Sequence, residues 1–452
     1  MTISVGFDGG SRRSDGLALI RLGGPQIKTV EVDLPFRNLF RSLGSPDPVA
    51  LDLLVVAGAC YVVDKAMARK SVTDAWTRDL SVSFPVSDPE RWEKVALRLD
   101  TALSFLSGDV WRTSFHKSSC ELFIAPKTRR KKTLTPDEPD SFDAVTLFSG
   151  GLDSLIGAID YLQQNAENRI MLIGHYDAAG PKSQQEALYQ RIKTRFPGRT
   201  KLVQVRVSQR PPKNTESTLR SRSIVFIGLG IYAASEMGFD VPLLAPENGT
   251  IALNLPLTPS RSGSCSTRTM HPFYLDTLRS VLKDLGLGNK LVNPSALRTK
   301  GECVTQCRDL TLLSSLVSLT VSCSHGTRRQ DWARKKATNC GYCVPCLFRR
   351  ASLHAANLDS GDDYGIDVCA DELTVESEGI SADDLRAVAS GLNHFNTDAG
   401  IRRAITSVAL VQPIGDYVSL VRRGLDELRR WIADKGSIKL RKAAGISDGR
   451  HA

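Results

Sequence analysis

Residues 144–162 read AVTLFSGGLDSLIGAIDYL, and their reading decides the fold. Ala144, Val145, Leu147 and Phe148 form a short apolar run of the kind that becomes a buried strand. Ser149, Gly150, Gly151, Leu152, Asp153 and Ser154 then make a turn. Leu155, Ile159 and Leu162 recur at helical spacing and define the buried face of a helix. Two adjacent glycines let the backbone turn tightly and let an anion approach the amides with no Cβ in the way. Ser149 and Ser154 add hydroxyls, and the helix start adds a favourable dipole. Asp153 repels a phosphate unless a cation intervenes, so it reads either as a Mg²⁺ ligand or as a helix cap. As a surface ligand it should be removable without loss of the fold. The Gly-Lys-Ser/Thr ending of a Walker A loop is absent.

Working outward, strand and helix alternate. Residues 170–174, 202–207 and 241–245 are strand-like, with helices expected over 182–196 and 221–236. Strands separated by helices of this length imply right-handed crossovers and a parallel sheet. Ligands bind such sheets beyond the strands' carboxyl ends, where the Ser-Gly-Gly turn falls. Residues 254–272 are polar and rich in Ser, Thr and Arg; a long loop there is expected to recognise an acceptor.

A second signal lies downstream. Cys340-Gly-Tyr-Cys343-Val-Pro-Cys346 contains two overlapping C-x₂-C steps, and Cys323 sits in Ser-Cys-Ser-His. Four soft ligands at this spacing fit a closed tetrahedral Zn²⁺ site with no position left for a reacting water. His325 is a rival for the first ligand. Cys303 and Cys307, four residues apart, are expected to be small buried thiols.

The flanks read differently. Residues 1–125 suggest an α+β module with strands at 3–7, 17–21, 80–86 and 111–115 and helices over 48–65 and 89–105. Pro85 argues that its strand lies near a sheet edge. Residues 126–143 carry a basic and then an acidic block among prolines, the composition of a linker. From about 380 to 436 the chain is helical, with Val418, Val421, Leu425, Leu428 and Ile432 on one stripe and Arg422, Arg423, Arg429 and Arg430 on a solvated face. Glycine-interrupted residues 437–452 are expected to fray.

The chain has 452 residues, ten cysteines and a net charge of +10. No signal-peptide pattern opens it and no apolar run reaches membrane length, so a cytoplasmic protein without membrane association is expected. The basic balance suits nucleotide substrates; without a reader motif, nucleic-acid binding is not favoured.

The Ser149–Ser154 turn resembles the SGGxDS loop of the N-type ATP pyrophosphatases. With the cysteine cluster, it resembles the QueC-like (7-cyano-7-deazaguanine synthase) family over roughly residues 140–358, about half the chain. Arg222 matches that family's arginine at a helix start, although Ser223 replaces the usual asparagine. Thr299-Lys300-Gly301-Glu302 is similar to its Thr-Lys-x-Glu element. The resemblance implies a HUP-like α/β domain (adenine nucleotide alpha hydrolase-like) over 144–360. It implies ATP held by the loop with Arg222 and Lys300, with Ser149, Asp153 and Ser154 catalytic, and a structural zinc. The implied reaction adenylates a carboxylate, 7-carboxy-7-deazaguanine or a relative, releases pyrophosphate and couples the acid to ammonia or a protein amine. The longer layout resembles QueC-like proteins of Qat-type bacterial antiphage defence systems, implying partners from a defence operon. Two other functions stay open: a PP-loop tRNA-modifying sulfurtransferase, for which Cys265 is the candidate thiol, and a non-catalytic nucleotide-binding scaffold of a defence complex.

Overall fold

The structure is a computed structural model that describes residues 2–7, 18–24, 27–44, 47–118, 141–177, 179–210, 216, 218, 220–259, 261 and 268–446. Its contacts divide the chain into two units. The first comprises Met1–Ser149, Asn165–Ala245 and Thr267–Asn293, and the second Gly150–Gln164, Pro246–Ser266 and Pro294–Ala452.

The first unit holds two sheets. Strands β1 (Thr2–Phe7), β2 (Ala18–Gly24), β3 (Ile27–Leu34), β4 (Asp79–Val86) and β5 (Val110–Lys117) belong to one, and β6 (Ala144–Leu147), β7 (Ile170–Tyr176) and β8 (Thr200–Arg206) to the other. The short β9 (Ser208–Arg210), β10 (Leu243–Leu244) and β11 (Leu291–Val292) complete them. The first sheet is mixed, in the order β5-β4-β1-β2-β3-β9. The second is parallel throughout, in the order β11-β10-β6-β7-β8. Strand β6 is therefore the point where the order reverses: β7 and β8 extend to one side, β10 and β11 to the other. Such a reversal opens a crevice beyond the strand's carboxyl end, and the Ser-Gly-Gly turn leaves β6 there.

Two expectations about the N-terminal part need correction. Strand β4 is interior, lying between β5 and β1. Its pairing with β1 ends at Ser83, and alternation along the strand turns the Pro85 nitrogen to that unpaired side, away from β5, so its missing N–H is tolerated. The boundary expected at 126–143, of which residues 141–143 are described, does not coincide with the division of the structure. Helix Pro48–Ala66 is buried over almost its whole circumference, as is Arg222–Met237. A helix with no polar face cannot cover the outside of an independent module. The two pack so closely that a Cβ on Gly228 would meet the Ala57 methyl at 2.9 Å. Residues from both sheets share one core. Strand β9 follows β8 directly yet pairs with β3.

A buried ionic cluster adds to this union. Arg78, fully buried, donates to Asp64 Oδ1 and Asp109 Oδ2 at 2.5 Å each, while Arg69 grips both oxygens of Asp109 at 3.0 Å. The Ser221 hydroxyl, at the start of helix Arg222–Met237, donates to Asp64 at 2.6 Å. The single helix expected over 89–105 is two: Asp88 caps a short one, Pro89–Glu93, which is followed by a second, Ala96–Ser107.

The second unit is largely helical. Its longest helix, Ile414–Lys435, buries Val418, Val421, Leu425, Leu428 and Ile432 as the stripe predicts, and also Leu420, Glu427 and Trp431. Its arginines do not form a uniformly solvated face. Arg422 pairs with Asp398, Arg423 with Glu302, and Arg429 donates to Asp426 and to the Leu392 and Phe395 carbonyls. The expectation of a frayed tail fails at its start, because Ser437 caps a helix, Ile438–Ala443, that buries Leu440. No helix among the described residues is long and apolar enough to cross a membrane.

Candidate nucleotide site and metal centre

In the second unit the loop glycines run into helix Leu152–Gln164, whose first turn carries Asp153. Gly150 has φ +85°, a left-handed conformation that favours glycine. The Ser154 hydroxyl donates to the Gly151 carbonyl at 2.9 Å and so braces the turn. Gly157, one turn into the helix, leaves room for Pro246, whose ring a Cβ there would meet at 2.4 Å.

Three residues from distant parts of the sequence converge on Asp153. The Lys300 ammonium donates to Oδ2, with only 4% of the lysine side chain and 14% of the aspartate exposed. The Asn248 amide donates to Oδ1 at 3.0 Å and to Glu247 Oε1 at 3.3 Å. Asn248 also caps helix Gly249–Leu253 by accepting from Ile251 N, which holds its amide toward the acids. Glu247 is half-buried. Burial first, then the neighbouring Asp153 charge, raises its carboxyl above the ordinary range, and Lys300 offsets this only in part. A buried ion pair flanked by a second acid thus stands at the start of the helix that follows the loop. Asp153 is not a freely removable surface ligand, as the sequence alone suggested.

Lys300 is the first residue of helix Lys300–Thr305. Thr299 and Glu302 form a full capping box around it: the Thr299 hydroxyl accepts from Glu302 N at 3.1 Å, and Glu302 Oε2 accepts from Thr299 N at 2.9 Å. Burial would raise the Glu302 carboxyl, but the Arg423 hydrogen bond overcomes this and holds it low. Cys303 and Cys307 are buried thiols pushed up to about 12, mainly by burial, which suits packing rather than nucleophilic chemistry.

Ser149 and Arg222 belong to the first unit. The Ser149 carbonyl accepts from Gln185 at 3.5 Å. Arg222 donates to the His175 carbonyl at 3.2 Å and to its Nδ1 at 3.3 Å, at the carboxyl end of β7. Burial, then the Arg222 charge, lowers the His175 imidazole to about 4, so it is neutral at physiological pH. Asp177, just past the strand, accepts from Tyr61 at 2.9 Å and from Lys65 at 3.2 Å. Cys265, with residues 262–267 of the expected acceptor loop, lies outside the described residues.

The metal-ligand expectation is met in its geometry. The sulfur atoms of Cys323, Cys340, Cys343 and Cys346 all lie within 4.8 Å of one another. A tetrahedral zinc with Zn–S bonds of about 2.3 Å sets its sulfurs about 3.8 Å apart, and Cys340 and Cys346 are separated by 3.7 Å. Backbone amides of His325 and Cys340 donate to Cys323 Sγ at 3.3 Å, and those of Tyr342 and Cys343 to Cys340 Sγ at 3.4 and 3.2 Å. These amides favour thiolates, and hydrogen bonds from the other three thiols lower Cys323 well below its ordinary value. Gly341 makes the turn with φ +89°, where a Cβ would lie 2.1 Å from the Ile366 carbonyl. The four cysteines form a site suited to a metal ion such as zinc. His325 is not part of it; its ring packs on Tyr342 at 5.3 Å.

Comparison with models of known protein families, with curated proteins and with solved structures finds no match. Sequence reasoning missed Glu247, Asn248 and Glu427. Asn248 carried a signal, a capping residue before a short apolar helix. Glu427 carried another, a carboxylate in the row Leu420, Gly424, Glu427 and Trp431, which has helical spacing.

Proposed function

We propose that this chain is a QueC-like PP-loop enzyme of HUP-like fold. It would adenylate a carboxylate of the 7-carboxy-7-deazaguanine class with release of pyrophosphate and pass the acyl group to an amine. The observation that carries this reading is the pairing of Lys300 with Asp153, which lie 147 positions apart. The Ser-Gly-Gly-x-Asp-Ser loop and the Thr-Lys-x-Glu element resemble two motifs of one family, and here they meet at one ion pair. A parallel sheet that reverses at the strand feeding the loop, and a four-cysteine cluster, support the same reading.

In this reading the loop amides and the helix start hold the phosphates of ATP. Lys300 stands beside the charge that develops on the leaving pyrophosphate, and Asp153 orients its ammonium. Asp153 retains unshared carboxylate lone pairs for Mg²⁺, which when bound neutralises phosphate charge. The acid substrate attacks the α-phosphorus, pyrophosphate leaves, and an amine then displaces AMP from the acyl adenylate. Positioning and charge neutralisation supply most of the acceleration. Zinc held by the four cysteines serves structure, since four thiolates close its coordination shell. The resemblance to Qat-type proteins adds partners from a defence operon and a protein amine as the alternative acceptor to ammonia.

The test is incubation with ATP, 7-carboxy-7-deazaguanine and ammonia. AMP and pyrophosphate should form in step with a product bearing the amide or nitrile. Release of ADP and phosphate instead, or no ATP cleavage with any acid of this class, would overturn the reading.

A further inference from the structure

The C-terminal helix Ile414–Lys435 does more than pack. Glu427 is buried, and burial raises its carboxyl above the ordinary range, an effect that two hydrogen bonds offset only in part. Those bonds come from the Thr299 hydroxyl to Oε1 and from the Gly301 amide to Oε2, the latter at 3.0 Å. Both donors flank Lys300. Gly301 has no side chain where one would collide, since a Cβ there would come within 2.5 Å of the Glu427 carboxyl. One helical turn earlier, Arg423 donates to Glu302 Oε1 at 2.6 Å and to the Leu297 carbonyl at 2.9 Å. Two residues on one face of a 22-residue helix therefore grip the start of a six-residue helix whose first residue is Lys300.

A helix that short is marginal by itself. A buried carboxylate is also an expensive way to fill space. We propose that Glu427 is a positioning residue for Lys300. It anchors the residues on either side of the lysine so that the ammonium is presented to Asp153 in one geometry. The assignment of ATP cleavage to this site rests on the function proposed above; the anchoring of Lys300 does not.

Glu427→Gln keeps the shape but gives the Thr299 hydroxyl or the Gly301 amide a competing donor. An open groove of about 570 Å³ lined by Gly301, Glu302, Thr305, His354, Arg423 and Glu427 among others borders the site, so the variant seals no polar cavity. Two readouts separate the claims. In the first, full-length protein is acylated with an amine reagent and labelling of Lys300 is mapped by mass spectrometry. Glu427→Gln should raise Lys300 labelling several-fold at an unchanged melting temperature, Glu427→Asp should raise it less, and Arg422→Ala on the same helix should leave it unchanged. Unchanged Lys300 labelling in Glu427→Gln overturns the proposal whatever the activity does.

In the second, pyrophosphate release should fall about 10- to 100-fold in Glu427→Gln, chiefly in kcat, as expected for displacement of a group by a fraction of an ångström. Combined with Lys300→Met it should cause no further loss, because both changes act through one ammonium. Additive losses would overturn the proposal. Raised labelling together with a wild-type protein that cleaves no ATP would support the anchoring and refute the enzymatic reading.

Discussion

The cysteine cluster and the Asp153 cluster lie in the same unit, yet they are assembled by different means. Three of the four sulfurs come from seven consecutive residues, and backbone amides of the same segment turn toward them. Around Asp153, by contrast, Asn248 arrives from 95 positions away and Lys300 from 147. The first site is written locally and is suited to a metal ion that would close it. The second exists only after distant elements have packed, and it is held by a buried ion pair whose partners depend on each other. Local sites should therefore fail by losing the metal, and long-range sites by losing one partner.

The largest expected effect follows from that contrast. Cys343→Ser should lose about one zinc per chain by metal analysis and destabilise the second unit, since structural metal binding is folding free energy. A loss of even about 4 kcal/mol would lower a thermal midpoint by roughly 10 °C. Zinc-free protein of unchanged stability would break the comparison at its local end.

Asp153→Ala tests the other end. Pyrophosphate release should drop at least about 100-fold, as for removal of a group that stabilises transition-state charge. Stability should fall by about 3–5 kcal/mol, because Lys300 would keep a buried charge without its partner. Adding Lys300→Met should restore much of that stability but none of the activity. A single variant as stable as wild type in denaturant titration would mean that the pair is not buried in solution.

The first unit supplies a pH test. The unfolded chain protonates His175 near 6.5, the folded chain only near 4. Folding thus excludes a proton throughout that window, so stability is complete above pH 6.5 and declines as pH falls toward 4, by on the order of 3 kcal/mol. His271, lowered to about 3 by burial, acts in the same direction. Denaturant midpoints between pH 7 and 4.5 should show the decline, with a shallower slope in His175→Gln.

The smallest effect is expected for Cys265→Ser, which should leave pyrophosphate release unchanged. Loss of product formation with intact ATP binding would instead assign the thiol to the chemistry and bring forward the sulfurtransferase reading.

Much of the candidate site was legible because its signals are short-range. The apolar strand, the paired glycines and the helical spacing after them all lie within 19 residues, and each follows from backbone and side-chain geometry over a few positions. The thiolate knuckle was legible for the same reason. The strands of the parallel sheet were expected, apart from β11, because buried strands are continuous apolar runs. Glu247 was not legible, since a glutamate looks the same to a sequence reader whether it faces water or a buried neighbour; the apolar row around Glu427 marks that glutamate as buried but does not say what it meets.

By itself, then, the sequence determined the loop, the metal-ligand set, the alternation of strand and helix and the apolar stripe of the C-terminal helix. Each depends on interactions between residues close along the chain. Only the tertiary structure decided that the N-terminal strands share a core with the parallel sheet, that Asp153 is paired with Lys300, and that the C-terminal helix grips the element carrying that lysine. The physical reason is burial: which helix has no face left for water, and which carboxylate must find its donors inside the protein, depend on what packs against them from far along the chain.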